Sequence, residues 1–70
     1  MLDFRHETFL ALCRIKNYTK TAEFLHMTQP AVTQHIKFLE SYYNVKLFNY
    51  ERKNLSLTRE GGLLYDYAMT

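Results

Sequence analysis

A threonine followed two residues later by a proline is the feature that most constrains how this chain folds. Thr28 has a side chain that caps helices, and Pro30 would lie in the first helical turn, where the missing amide has no intrahelical partner anyway. Asn44 tolerates the left-handed conformation common at helix C-termini. Between them, apolar residues recur at spacings of four, three and four: Val32, Ile36, Leu39 and Tyr43. The sequence therefore predicts a helix over about residues 29–43 with one apolar face.

Two shorter helices are predicted before it from the same two signals. The first covers about residues 3–15, and the second begins with Thr19 as its capping residue. The pair His26-Met27 leaves only a tight turn before Thr28, so the second and third helices form a helix-turn-helix. The apolar face of the first helix consists of Phe9, Leu12 and Cys13.

The second half of the chain predicts a small hairpin and a fourth helix. Residues 45–48 and 55–58 alternate apolar and polar side chains, and the polar stretch 49–54 separates them. Thr58 then offers another helix cap. The fourth helix carries Leu63, Leu64, Tyr67 and Ala68 at helical spacing. The expected fold class is mainly α, with three core helices and a hairpin.

Composition sets further bounds on the chain. Seventy residues form one domain at most, and no apolar stretch reaches the roughly 20 residues of a membrane helix. The lone Cys13 fits a buried thiol in a reducing compartment, so we expect a cytoplasmic protein with no membrane partner. The net charge is only +2, but Glu23 is the one acid between Thr8 and Leu39. That region could face phosphate, and a plain solvated surface fits the charge equally well.

The exposed side of the third helix offers groups that read DNA. Glutamine makes paired hydrogen bonds to adenine, threonine donates to bases or phosphates, and an apolar tip contacts the thymine methyl group. On these residue types alone, an ordinary solvated helix face explains the pattern as well. The side chains opposite the apolar face are Gln29, Thr33, Gln34 and Lys37, with Pro30 and Ala31 at the tip.

The order of residues along the chain resembles the N-terminal domain of the LysR-type transcriptional regulators. The densest part runs from Asn17 to Thr33 and reads NYTKTAEFLHMTQPAVT. The resemblance starts at Phe9 and continues through Ile36, Leu39-Glu40, residues 45–48, Leu57-Thr58 and Gly61.

The resemblance implies a winged helix-turn-helix over residues 1–58 and the start of a linker helix over 59–70. It implies sequence-specific binding of double-stranded DNA, with the recognition helix in the major groove and a wing at about 49–54 on the backbone or minor groove. The linker helix would pair in a homodimer, or in a tetramer of the full-length protein, on an inverted repeat. A small-molecule effector would bind a C-terminal domain outside these residues. The implied DNA-binding residues are Thr19 and Thr28 as helix caps, and Gln29, Pro30, Thr33, Gln34 and Lys37. Ala31 is added to them as part of the apolar tip of the third helix.

The sequence departs from the family's usual pattern mainly at the wing. Tyr50 stands where such regulators usually carry arginine, and Glu51 and Arg52 replace small residues and glycine at the tip. Arg52 and Lys53 are nevertheless expected to reach the DNA backbone or minor groove. Two milder departures, in which the side chain should suit its surroundings, are Thr21 for alanine and Asn44 for glycine.

Other kinds of chemistry find little support. The histidines lack a second ligand at metal spacing, and there is no nucleophile–base pair or phosphate loop, so we predict no metal, no cofactor and no enzyme activity. The modest charge would also suit a winged helix that binds proteins instead of DNA. We expect His26 to pack or hydrogen-bond, and His35 either to approach a phosphate or to be solvated. The tyrosines of the helical segments would form core or a dimer seam, and these are Tyr42, Tyr43, Tyr65 and Tyr67.

Overall fold

A computed structural model describes residues 3–69, and within them it shows helices and one two-stranded antiparallel sheet. In chain order the elements are α1 (Phe4–Ile15), α2 (Tyr18–Leu25), α3 (Gln29–Tyr43), β1 (Phe48–Glu51), β2 (Asn54–Leu57) and α4 (Arg59–Met69). The predicted mainly α fold, with three helices and a hairpin followed by a fourth helix, is confirmed. The predicted ranges 1–58 and 59–70 extend past the described residues at their outer ends.

The core lies where α1 packs against α2, α3 and α4. Phe9 is fully buried and meets Phe48 of the hairpin edge to face, with ring centroids 5.7 Å apart. Cys13 is buried as predicted, and burial raises the pKa of its thiol to about 12. Fully buried side chains from α1, α3 and the segment before the hairpin complete this core, and they include Leu12, Val32, Ile36, Leu39 and Leu47.

The capping residue predicted from the sequence is the observed one at α3 but not at α2. The Thr28 hydroxyl accepts a hydrogen bond from the amide of Ala31 at 3.2 Å, as predicted. The predicted cap Thr19 is wrong, because Asn17 caps α2 by accepting from the amide of Lys20 at 2.8 Å. Asparagine and threonine are both capping residues, and α1 already ends at Ile15, so α2 starts two residues earlier than expected. Thr19 instead lies exposed in the first turn of α2.

Each of the first three helices ends at a non-glycine residue in the left-handed conformation. These residues are Lys16, His26 and Asn44, with φ of 57°, 57° and 56°. At Asn44 this confirms the predicted helix end. The left-handed residues let the chain reverse within two or three residues, which keeps α2 and α3 close enough to form the helix-turn-helix.

The hairpin lies further along the chain than predicted. Residues 45–48 were expected to form its first strand, but only Phe48 is in β1, because Val45 and Leu47 pack against the core on the way to it. The polar stretch 49–54 is therefore mostly strand, and β1 pairs with β2 in a register that joins Phe48 to Leu57. Arg52 and Lys53 alone make the turn, with φ of 49° and 63°. This two-residue turn is tight without glycine.

Thr58 joins the base of the hairpin to α4. Its amide donates to the carbonyl of Leu47 at 3.0 Å, and its hydroxyl donates to the carbonyl of Lys46. The same hydroxyl accepts a hydrogen bond from the amide of Gly61 at 2.9 Å, which confirms Thr58 as the predicted cap. These bonds fix where α4 leaves the domain.

Two buried threonines differ in how their hydroxyl groups are satisfied. Thr8 donates to the carbonyl of Phe4 at 3.2 Å and lies 2.9 Å from Nδ1 of His35. The hydroxyl of Thr21 is buried without a hydrogen-bond partner among the described residues. The expectation that Thr21 suits its surroundings is thus wrong, because the site excludes solvent and offers its oxygen no donor or acceptor.

Candidate nucleic-acid interface

The start of α3 carries one surface of the predicted base-reading residues, all of them exposed except the half-buried Thr33. Gln34 and Lys37 are exposed on the side of α3 opposite Val32, Ile36 and Leu39, whose burial fixes the rotation of the helix. A shallow groove of about 420 Å³, here called the α3 groove, runs along this side. It is lined by Gln29, Pro30, Thr33, Gln34 and Lys37. Five of the residues predicted to bind DNA therefore share one surface, and Ala31 is half-buried beside it.

A second groove, here called the wing groove, lies between the start of α2, the start of α3 and the hairpin. It has a volume of about 470 Å³ and adjoins the α3 groove, because Gln29 and Thr33 line both. Thr19 lines it as well, so this residue reaches the candidate interface although it does not cap a helix. The wing contributes Tyr50 and Lys53 to the opposite wall.

The predicted wing residues lie at the tip of the hairpin. Arg52 and Lys53 are both exposed and form the turn itself, so their side chains project from the end of the wing. Lys53 lines the wing groove, whereas Arg52 does not. The structure thus brings Lys53 to the predicted surface of α3 and leaves Arg52 beyond it. Thr28 lines neither groove and is next to them in the chain, where its hydroxyl accepts the hydrogen bond from the amide of Ala31 that caps α3.

The charges at these grooves suit a polyanion. None of the residues that line either groove is acidic, and the cations there are Lys16, Lys37 and Lys53. The exposed Glu51 follows Tyr50 on the strand, and alternation places its side chain on the other face of the hairpin. Phosphate approaching the grooves would therefore meet positive charge at close range without a facing carboxylate.

The residues of this surface that the sequence did not predict include Lys16 and Tyr50, and the others are Asn17, Tyr18 and Leu55. Lys16 ends α1, and only the packing of α1 and α2 brings it to the wing groove. Because the turn has only two residues, β1 continues past Tyr50 to Glu51. The side chain of Tyr50 therefore lies on the hairpin face that carries Phe48. The alternation of Phe48 and Tyr50 was a signal that both side chains share one face of a strand. The prediction overlooked it because it placed the first strand at residues 45–48.

The histidines face the protein interior or the turn instead of this surface. His35 is half-buried against α1, where its ring meets Phe4 edge to face at 5.1 Å, so it is not the simply solvated residue that the sequence suggested, and its approach to a phosphate stays a prediction. Burial lowers the pKa of His35, the positive charge of Arg5 lowers it further, and the Asp3 carboxylate acts in the opposite direction. His6 is buried, and its Nε2 lies 2.8 Å from the hydroxyl of Tyr43. His26 is exposed at the end of α2.

Over residues 3–69, no three histidine, cysteine or carboxylate side chains are close enough to hold a metal ion together. Within the same span, no helix combines the length and the apolar character needed to cross a membrane. Of the helical tyrosines, Tyr43 and Tyr65 pack against the core, whereas Tyr42 and Tyr67 are exposed.

Comparison with known families decides which class this domain belongs to. Residues 5–62 match the sequence profile of the bacterial regulatory helix-turn-helix proteins of the lysR family. The chain belongs to the lysR family. This confirms the predicted family, and the relatives of this LysR-type domain are transcriptional regulators.

Relatives of known name and structure agree with the assignment. The LysR-type domain is 41% identical over 69 residues to the HTH-type transcriptional regulator CitR of Bacillus subtilis, covering 97% of this chain and 24% of CitR. It is 42% identical over 62 residues to CysL of the same organism, covering 89% of this chain and 21% of CysL. The chain thus spans about a quarter of the length of these curated relatives.

Solved structures show the same fold. A LysR-family regulator from Eggerthella lenta superposes with a TM-score of 0.94 at 58% identity and is covered, like this chain, over 100% of its length. The DNA-binding domain of BenM, solved with catB site 1 DNA, superposes with a TM-score of 0.88 at 29% identity, over 97% of this chain and 77% of that one. The predicted winged helix-turn-helix, the DNA-binding domain of a LysR-type regulator, is confirmed.

Proposed function

We propose that the chain reads a specific sequence in double-stranded DNA with the α3 groove, while the wing holds the DNA backbone. The observation that carries this proposal is the shared surface of Gln29, Thr33, Gln34 and Lys37 beside an acid-free groove. Glutamine pairs with adenine N6 and N7 in the major groove, and lysine contacts phosphates at any sequence. The DNA complexes solved for BenM and for Vibrio fischeri DarR, similar in fold, support duplex DNA as the ligand.

The proposed roles differ along the surface. Gln29 and Gln34 read base edges, with Pro30 and Ala31 available to a thymine methyl group. Lys37, Arg52 and Lys53 contact the backbone or the minor groove next to it. Thr19, Thr28 and Thr33 complete the set as hydroxyl donors near the phosphates. The domain would serve in a cytoplasmic regulator, without a catalytic step of its own.

We further propose that residues 59–70 begin a linker helix that pairs two copies. Leu63 and Tyr67 of α4 are 59% and 60% exposed, so an apolar side of this helix is left uncovered by the domain itself. Two copies would place their α3 helices in successive major grooves about 34 Å apart, on an inverted repeat. In the full-length protein, a dimer or tetramer would respond to a small-molecule effector bound by a C-terminal domain.

The test is selection from a pool of random duplexes, followed by fluorescence anisotropy on the enriched site at two salt concentrations. Gln29→Ala or Gln34→Ala should cost roughly 1–3 kcal/mol on that site and relax its sequence. Lys37→Ala should weaken all duplexes evenly. Lys46→Ala is the matched control, because Lys46 is exposed and lines neither groove.

Two results would contradict the proposal. If both glutamine variants lose as much affinity for random DNA as for the selected site, Gln29 and Gln34 do not read bases. No salt-dependent binding at low salt, also with a chain extended beyond residue 70, would favour a protein-binding winged helix, since protein contacts lack counterion release from a phosphate backbone.

A further inference from the structure

Tyr50 lies on the inner face of the wing, pointing toward the helices. In the hairpin register Tyr50 stands opposite Leu55, and Phe48 stands opposite Leu57, so these side chains share one face of the sheet. Phe48 and Leu55 are buried against the core, but Tyr50 is nearer the tip and is 66% exposed. Its side chain therefore overhangs the wing groove instead of filling the core.

The facing wall of that groove supplies a positive charge. Lys16 ends α1 in the left-handed conformation and is exposed, and it lines the wing groove together with Tyr50 and Lys53. No acidic side chain lines the groove. The hydroxyl of Tyr50 makes no hydrogen bond to any residue of the described part of the chain, so it is free to donate. On the wing side, the groove thus presents the neutral donor Tyr50 beside Lys53, and Lys16 lines the same groove from the end of α1.

We propose that Tyr50 and Lys16 clamp one DNA strand in the wing groove, next to the bases read by α3. Tyr50 donates its phenolic O–H to a phosphate oxygen, and Lys16 neutralises a phosphate from the opposite wall. This inference rests on the proposed function and adds two positioning residues to it. The contact from the wing is thus made by a neutral donor, and the positive charge comes from Lys16 at the end of α1.

The assignment follows from the shape and chemistry of the groove. The wing groove, of about 470 Å³, adjoins the α3 groove at Gln29 and Thr33, so it would lie beside a duplex whose bases meet Gln29. The strand next to those bases then passes between the start of α2 and the wing. A phenol donates one strong hydrogen bond to an anion without releasing a counterion, whereas lysine and arginine contacts each add to the salt dependence.

The experiment measures the dissociation constant for one selected duplex at several salt concentrations. Tyr50→Phe should weaken binding about tenfold, the loss expected for one hydrogen bond to a charged group, and leave the salt slope unchanged. Tyr50→Arg should steepen the slope by about 0.9, one extra phosphate contact. Tyr42→Phe is the matched control, because Tyr42 is 68% exposed on α3 and lines neither groove. It should bind like the parent chain.

A second pair of variants tests Lys16. Lys16→Asn removes the charge but keeps a residue that tolerates the left-handed conformation, so the turn survives. It should make the salt slope shallower by about 0.9, whereas Lys46→Asn should leave the slope close to that of the parent. Circular dichroism checks that every variant keeps its helical content and melting temperature.

The outcomes separate the inference from the proposed function. If the parent chain binds the selected duplex with a steep salt slope and both Tyr50→Phe and Lys16→Asn bind like it, the clamp is overturned and base reading stands. If neither the parent chain nor a chain extended beyond residue 70 binds any duplex at low salt, the proposed function fails together with the clamp. A tenfold loss for Tyr50→Phe at unchanged slope, with no loss for Tyr42→Phe, supports the clamp.

Discussion

Gly61 lies so close to the carbonyl group of Leu47 that a Cβ atom on Gly61 would overlap the oxygen. The same Cβ would come within 2.8 Å of Cδ2 of Leu57. The start of α4 and the base of the hairpin thus approach each other at a position that only glycine can occupy without displacing backbone. Gly62, the next residue, has open space around its Cα.

The two glycines should therefore respond in opposite ways to the same substitution. Gly61→Ala should lower the free energy of unfolding by about 1–3 kcal/mol, because the backbone of Leu47 has to shift. Gly62→Ala should raise it by up to about 1 kcal/mol, since alanine is the better helix residue. Urea unfolding followed by circular dichroism measures both. A stable Gly61→Ala variant would show that α4 does not rest on Leu47 as described.

Thr21→Val should stabilise the domain by about 1 kcal/mol. Valine keeps the shape of threonine and has a similar helix propensity, and it removes the buried hydroxyl that lacks a partner. Thr8→Val is the matched comparison, because Thr8 is equally buried but its hydroxyl is hydrogen-bonded to Phe4 and His35. That variant should lose about 1–3 kcal/mol. Thermal melts of both proteins decide the matter, and a destabilised Thr21→Val would mean that the hydroxyl has a partner in solution.

Arg52→Gly should make the protein more stable and its DNA binding weaker. A non-glycine residue in the left-handed region is strained by about 1–2 kcal/mol, and the greater freedom of glycine in the unfolded chain offsets part of the gain, leaving up to about 1 kcal/mol. Arg52→Ala removes the same charge but keeps the strain. Both variants should lose affinity to a similar degree, and only the glycine variant should melt at a higher temperature. If both variants bind DNA as tightly as the parent chain, Arg52 does not contact the DNA.

The stability of the domain should decrease in mild acid because of His35. Its pKa is lowered in the folded state, mainly by burial, so as the pH falls the unfolded chain takes up the proton first. The stability that neutral His35 contributes is fully present above about pH 6.5, the ordinary pKa of histidine. It is lost as the pH falls through the lower pKa that His35 has in the folded state.

His35→Gln should flatten this pH profile, because glutamine can still hydrogen-bond Thr8 but does not titrate. His26→Asn is the control, since His26 is exposed and asparagine accepts its left-handed conformation. Urea midpoints between pH 7.5 and about 5 give the comparison. A profile that His35→Gln leaves as steep as the parent's would assign the acid sensitivity to another group.

The helices were predictable because their signals are local. The cap at Thr28, the apolar spacing along α3 and the end at Asn44 all lie within one segment, and the structure confirms each of them. Thr19 failed as a cap for a related reason. Asn17 and Thr19 are both suitable, and the choice depends on where α1 ends against the rest of the core, which a local signal does not contain.

The hairpin and the wing groove needed tertiary information. Val45 and Leu47 carry the apolar alternation of a strand, yet they pack into the core beside α4, and the strand begins only at Phe48. No glycine marks the turn at Arg52 and Lys53, so the sequence offered no sign of where the strands reverse. Lys16 and Tyr50 line one groove because three separate segments meet there, residues 16–19, the start of α3 and the hairpin, and no spacing along the chain encodes this meeting.

The hydrogen bonds of Thr58 have a mechanical consequence. Thr58 connects the segment that leads into β1 with the first turn of α4. It donates to the carbonyls of Lys46 and Leu47 and accepts from the amide of Gly61. Gly61 lies against the carbonyl of Leu47, so the first turn of α4 and the root of the hairpin are joined directly. We expect a force applied along α4 to reach the wing through this joint before it reaches α3, so that contact with the DNA backbone and reading of the bases would change separately.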